Sequence, residues 1–198
     1  MKVSRLFALL LFVCLSVSGF AQHDNSAMSD ASLLDVGRRL CDEGHYYAAR
    51  QIIGKFHDGT YASSLKVSEI HELDVLTLVC DYYLNSSDVA SGIDKWLEAN
   101  SVSPYYFRMK LLRANLYVKE GKYADALEGY ALCKSGAESN EEFKEYKPYV
   151  NSNIKENERI EAVLYEAIAN INIGNILEAE RLLASVDGAH AHKNNITY

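Results

Sequence analysis

The chain has 198 residues, of which 48% are hydrophobic and 24% charged, a composition that excludes disorder as the default. Only 2 prolines and 11 glycines exclude a collagen-like or proline-rich chain. Its 20 basic and 27 acidic residues give a net charge of −7, which repels phosphate and excludes a general binder of nucleic acid or anionic membrane.

Lys2 and Arg5 open the chain, residues 6–17 form an apolar run, and Gly19-Phe20-Ala21 puts small residues where a signal peptidase reads. That is the three-part form of a secretory signal. The run is shorter than the roughly 20 residues a bilayer span needs. Residue 13, before Cys14, is Val, whereas a lipoprotein signal wants a small residue there, so the expectation is cleavage after Ala21 without lipidation. The mature chain is then exported to the periplasm or cell envelope, with no transmembrane segment. Residues 22–32 read as a polar leader.

Beyond the leader, apolar residues follow helical spacing. Leu33, Val36, Gly37 and Leu40 form one stripe, Leu76, Val79, Cys80 and Tyr83 another, and Ala162, Tyr165, Ala169 and Ile173 a third. Strand-type alternation is missing. Short breakers at Asp42-Glu43-Gly44, Asn85-Ser86-Ser87-Asp88, Lys119-Glu120-Gly121 and Gly174-Asn175 separate the helices, with Gly suited to the left-handed closing position. Ser103 reads as a cap, with Pro104 in the first turn of the helix after it. The fold class is all-α, a run of helical hairpins.

The chain also repeats itself. Ala114, Tyr117, Gly121, Tyr123, Ala126 and Tyr130 have counterparts 34 residues earlier in Cys80, Tyr83, Ser87, Val89, Gly92 and Trp96. Gly37, Leu40, Gly44, Tyr46, Ala49 and Ile53 keep the same offsets, as do Ala167, Gly174, Ile176, Ala179 and Leu183. A 34-residue step with this small–aromatic–turn–small–aromatic order resembles the tetratricopeptide repeat (TPR) family, over about 150 residues. In particular it resembles the N-terminal repeat region of bacterial exported, cell-envelope TPR proteins.

The resemblance implies a right-handed α-solenoid of about four degenerate hairpins, at 33–61, 73–106, 107–138 and 160–186, with an insertion at 139–159. Gly37, Cys80, Ala114 and Ala167 let the helices of a hairpin approach. Ala49, Gly92, Ala126 and Ala179 do the same on the second helix. Ile53, Tyr83, Trp96, Tyr117, Tyr130 and Leu183 wedge between hairpins, and Phe56, Ala99, Cys133 and Val186 pack on the following repeat. Lys110, Arg113 and Glu166 depart from the pattern, standing where the family places apolar residues. Residues 187–198 read as the start of a further, truncated helix. Two explanations stand for that end: the chain is a fragment, or the last hairpin presents its apolar edge to a partner.

Among the cysteines outside the signal, Cys41, Cys80 and Cys133 are too widely spaced for a disulfide framework or a CxxC site, and read as small buried side chains. Cys41 and Cys80 pair only if neighbouring helices face each other correctly. No nucleophile elbow or phosphate loop occurs, and His71-Glu72 lacks a second His four residues on. We expect no enzyme activity, no cofactor and no metal.

In this family the first helices of the hairpins line a concave groove. The resemblance therefore implies a protein- or peptide-binding surface at Arg38, Asp81, Arg108, Leu111, Asn115, Lys119, Leu164, Ile168 and Ile171. Family members that grip a C-terminal carboxylate use a Lys/Asn/Arg cluster. Here Asn115 fits but Leu111 replaces the Lys, so that activity is not expected. The leading expectation is an exported scaffold that organises other proteins. The alternative is a glycan- or small-ligand-binding envelope protein on the same base, which calls for clustered exposed aromatics. The only Trp, Trp96, sits at a packing position.

Overall fold

The computed structural model describes residues 30–57, 65–135, 149 and 151–186. The expected signal at 1–21, most of the leader and the insertion, and the closing 187–198 lie outside the described residues. The described chain is all-helical: α1 (Asp30–Asp42), α2 (Tyr46–His57), α3 (Val67–Tyr83), α4 (Val89–Ala99), α5 (Tyr106–Lys119), α6 (Tyr123–Ser135), α7 (Glu156–Asn172) and α8 (Ile176–Ala184).

Four tight turns set the hairpins, and they share one hydrogen-bond pattern. After α1, His45 N–H donates to Leu40 C=O at 2.8 Å and Gly44 N–H to Cys41 C=O at 3.1 Å. After α5, Lys122 N–H reaches Tyr117 C=O at 2.8 Å and Gly121 N–H reaches Val118 C=O at 3.0 Å. After α7, Asn175 N–H reaches Asn170 C=O at 2.8 Å and Gly174 N–H reaches Ile171 C=O at 3.0 Å. These are Schellman closures, which need a residue at positive φ, and Gly44, Gly121 and Gly174 sit at +81°, +75° and +83°. After α3 the same closure is made by Asn85 at φ +54°, with Ser86 N–H on Asp81 C=O at 2.9 Å. Asn tolerates this region because its side chain is short and polar. The left-handed residue is thus Asn85 and not Ser87, the position 34 before Gly121. The second turn carries two extra residues while the helices beside it keep the repeat step.

Three boundaries differ from the expected ones. α1 starts at Asp30, inside the expected leader. α3 starts at Val67, ahead of 73, because Glu69 reaches back to accept the Lys66 N–H at 2.7 Å. α7 starts at Glu156, inside the expected insertion, because Glu158 does the same for Lys155 N–H at 3.1 Å. Each link satisfies an amide that a helix start leaves open. Ser103 stands two residues before the cap position, its Oγ accepting Tyr105 N–H at 3.2 Å, and α5 begins at Tyr106.

Each odd-numbered helix packs on its hairpin partner and on the next odd-numbered helix, while each even-numbered helix leads onto the hairpin that follows. The small residues lie where helices touch: Cys80, Ala114, Ala126, Ala167 and Ala179 are all buried. A Cβ added at Gly37 would sit 3.3 Å from Ile53 Cγ1, and one at Gly92 would sit 3.0 Å from Leu78 Cδ2. Tyr130, Ile53 and Trp96 are buried as wedges.

Two expected contacts fail. Leu183 is exposed and Leu182 is the buried residue, and Ala99 is exposed.

Two apolar interiors result. The first joins α1 to α5 and the second joins α5 to α8 with Tyr149. α5 serves both, giving Met109, Leu112 and Leu116 to the first and Leu111, Ala114 and Val118 to the second. Of the three charged residues at expected core positions, Lys110 is half-buried beside the Tyr106 ring, while Arg113 and Glu166 are buried with partners. Arg113 pairs with Asp94 at 2.8 Å and Glu120 at 3.2 Å, and its guanidinium lies 3.8 Å from the centre of the Tyr117 ring. Glu166 accepts from Lys134 and from the Tyr149 hydroxyl. A buried charge without such partners would cost several kcal/mol, of order 3–5.

Candidate binding face

The inner sides of the first helices of all four hairpins, α1, α3, α5 and α7, were expected to line an open groove. α7 fills much of it. Lys155, just before α7, reaches Asp42 at 3.0 Å. One turn into the helix, Glu158 takes the Arg108 guanidinium through Nε at 2.9 and 3.0 Å and Nη2 at 2.5 Å. A turn further, Glu161 accepts hydrogen bonds from the Tyr82 and Tyr83 hydroxyls, both at 3.0 Å. The carboxylates recur at the i, i+3 spacing that sets side chains on one helix face.

This corrects part of the groove. Arg108, Leu111 and Asn115 are buried, because α7 covers α5. Leu111 packs in the second interior. Asn115 is a junction inside the protein: its Nδ2 donates to Tyr82 Oη at 3.2 Å and its Oδ1 accepts from Tyr130 Oη at 2.8 Å. Arg38 is half-buried at the other end, held by Glu72 at 2.6 and 2.8 Å and by Asp35. Asp81 accepts from Arg50 Nε at 2.8 Å. These residues join helix to helix and are not grouped as one site.

The remaining residues do gather. Lys119 is exposed at the end of α5, its Nζ 4.3 Å from the Tyr82 ring centre and 5.6 Å from that of Tyr165 on α7. One turn beyond Tyr165 comes Ile168, and one turn beyond that Ile171, with exposures of 43% and 48%. Leu164 lies beside them, half-buried. Ile173, Ile176 and Leu177 extend the apolar surface around the next turn. The open part of the face is therefore one cation and an aliphatic strip.

Beneath it lies a tyrosine–carboxylate cluster. Tyr46 stacks on Tyr83 with ring centres 4.1 Å apart, and Tyr82 meets Tyr83 edge-on at 4.9 Å. Burial raises the pKa of Glu161 above the ordinary carboxylate value, opposed by the hydrogen bonds from Tyr82 and Tyr83 and by Lys119. Burial likewise pushes Tyr46 up to about 12. Tyr46 and Tyr82 were missing from the expected groove, and Tyr83 was read only as a packing wedge. No local spacing links residues 78 and 79 positions apart.

On the opposite side, a cleft of about 480 Å³ lies between α4, α5 and α6. Asp94, Lys110, Arg113, Tyr117, Asp125 and Glu128 are among its walls, and none of the expected groove residues reaches it. Trp96 is buried and stacks on His71 at 5.3 Å. Among the described residues, no group of three or more His, Cys, Asp and Glu could hold a metal ion, and no helix is long and apolar enough to cross a membrane. No family model, no curated protein and no solved structure matches the chain.

Proposed function

We propose that the chain is a non-enzymatic scaffold of the TPR type, exported to the periplasm or cell envelope, that holds a protein or peptide segment. Its hairpins would stack as a right-handed solenoid. The regular contact order of odd-numbered helices and the four like turns support that reading. The binding segment would lie on Lys119, Tyr165, Ile168 and Ile171.

One observation carries the proposal: the exposed aliphatic strip on α7 runs directly from an unburied lysine. An apolar strip with a charged anchor suits an amphipathic or extended segment bearing apolar side chains and a carboxylate. A photo-crosslinking residue at Ile171 tests this in cells, with Glu98 on α4 as an exposed control. Discrete adducts at Ile171, absent at Glu98 and lost in the Ile168→Glu variant, are expected. Equal adducts at both sites would remove the proposal. Fractionation, with the N-terminus read after Ala21, tests export separately.

A further inference from the structure

The best-placed reactive groups lie away from that strip. Cys41 is on the last turn of α1 and Cys80 on the last turn of α3. α1 packs on α3, and both cysteines belong to the first interior. Along both segments the cysteine falls between the Arg38–Glu72 ion pair and the Tyr46–Tyr83 ring stack, so the two side chains face the same contact, and each is the leading influence on the other's ionisation. Both are free thiols here, as is Cys133. Nothing in the packing requires sulfur at both positions, since two small apolar side chains would fill the same space.

We propose that Cys41 and Cys80 form a disulfide that fastens the first hairpin to the second. The step is thiol–disulfide exchange with a low-molecular-weight disulfide as oxidant. The Cys41 thiolate attacks one sulfur of the donor, forming a mixed disulfide and expelling the first donor thiolate. Cys80, deprotonated to solvent, then attacks the Cys41 sulfur and expels the second. Two electrons pass to the donor, which takes up two protons and leaves as two thiols. Cys41 is the better first nucleophile. The neighbouring Cys80 thiol lowers its pKa, with help from nearby Arg108, against burial and the charges of Glu158 and Asp42. The Cys41 thiol and burial in turn raise the pKa of Cys80.

Access is set by α1. Both thiols are buried. α1 packs on α2 and α3, Arg38–Glu72 is a salt bridge across the α1–α3 contact, and Asp42 at the end of α1 is also held by Lys155. Lifting α1 from α3 uncovers both sulfurs together, and docking it again brings them into reach. Cys133 supplies an internal control: it lies in the second interior, where burial pushes its pKa up to about 12.

The test is equilibration of the purified full chain in mixtures of oxidised and reduced glutathione, followed by acid quench, alkylation and peptide mapping. A linked peptide joining Cys41 to Cys80 is expected, with Cys133 alkylated. The native chain should hold that link at an oxidised-to-reduced ratio at least about tenfold lower than the urea-denatured chain does, because folding pre-positions the thiols. The oxidised chain should also melt above the reduced one, a difference that disappears in Cys41→Ser. Alkylation of both Cys41 and Cys80 at every ratio, or equal ratios for native and denatured chains, would overturn the proposal.

Discussion

Arg108 and Glu158 form a buried ion pair between α5 and α7, with side-chain exposures of 5% and 2%. The Glu158 carboxylate also closes the first turn of its own helix through Lys155 N–H. One acidic group thus starts α7 and holds it against α5. Glu158→Ala strands a buried guanidinium, and we expect a loss of about 3–5 kcal/mol in urea unfolding. The double variant Arg108→Met with Glu158→Leu should recover most of that loss, since it strands no charge. A Glu158→Ala midpoint equal to that of wild type would show that the pair carries no such burden.

The hairpin turns make a second prediction. Cβ atoms placed on Gly121 or Gly174 would meet nothing within 4 Å, so any cost of Ala there comes from the backbone alone. Gly121→Ala and Gly174→Ala should each lose about 1–2 kcal/mol, the penalty of an L-residue in the left-handed region. Asn85→Gly should be neutral or slightly stabilising in the same thermal assay. A neutral Gly121→Ala would count against the positive-φ closure.

Close helix approach makes a third. Ala126 is fully buried on α6, and a Cβ at nearby Gly129 would lie 3.0 Å from Ala114 Cβ on α5. Ala126→Leu should cost about 1–3 kcal/mol through overpacking. Ala131→Leu, at an exposed site on the same helix, is the matched control. Equal thermal midpoints for the two variants would contradict the α5–α6 contact.

Glu161 links stability to pH. Its carboxyl titrates above the ordinary 4.5 in the folded chain, mainly because burial disfavours the charge. A raised acid pKa means that the folded chain binds this proton more tightly than the unfolded chain does. Below the ordinary value both states are protonated and no penalty exists. As pH rises through the folded value, ionisation brings the full penalty. The stability of wild type relative to Glu161→Gln should therefore fall from acid to neutral pH, measured by urea unfolding at each. A difference that stays constant or grows would mean that Glu161 is not desolvated.

The hairpins were legible because their signals are local. Gly44, Gly121 and Gly174 end helices at fixed offsets, and Cys80, Ala114 and Ala167 sit at contacts that only small side chains permit. The second turn was expected where it lies, at 85–88, but its left-handed residue was not legible, because Asn85 can take the glycine conformation and Ser87 only looked equivalent to Gly121. The binding face was less legible. Helical period tells which side of a helix faces its neighbours, but it does not say which residues of another helix it meets. The bonds of Glu158 to α5 and of Glu161 to α3 record that meeting. α7 covers Arg108, Leu111 and Asn115 and leaves Lys119, Ile168 and Ile171 outside.

Because α5 lines two interiors at once, neither half of the protein owns a complete wall without it. Severing the backbone at the α5–α6 turn would leave an N-terminal piece with Leu111, Ala114 and Val118 uncovered, a ready seat for the severed remainder. The two pieces should find each other again in solution, and a cut before Tyr106 should behave likewise, since Met109, Leu112 and Leu116 would then sit on the other piece and leave the first interior open to receive them.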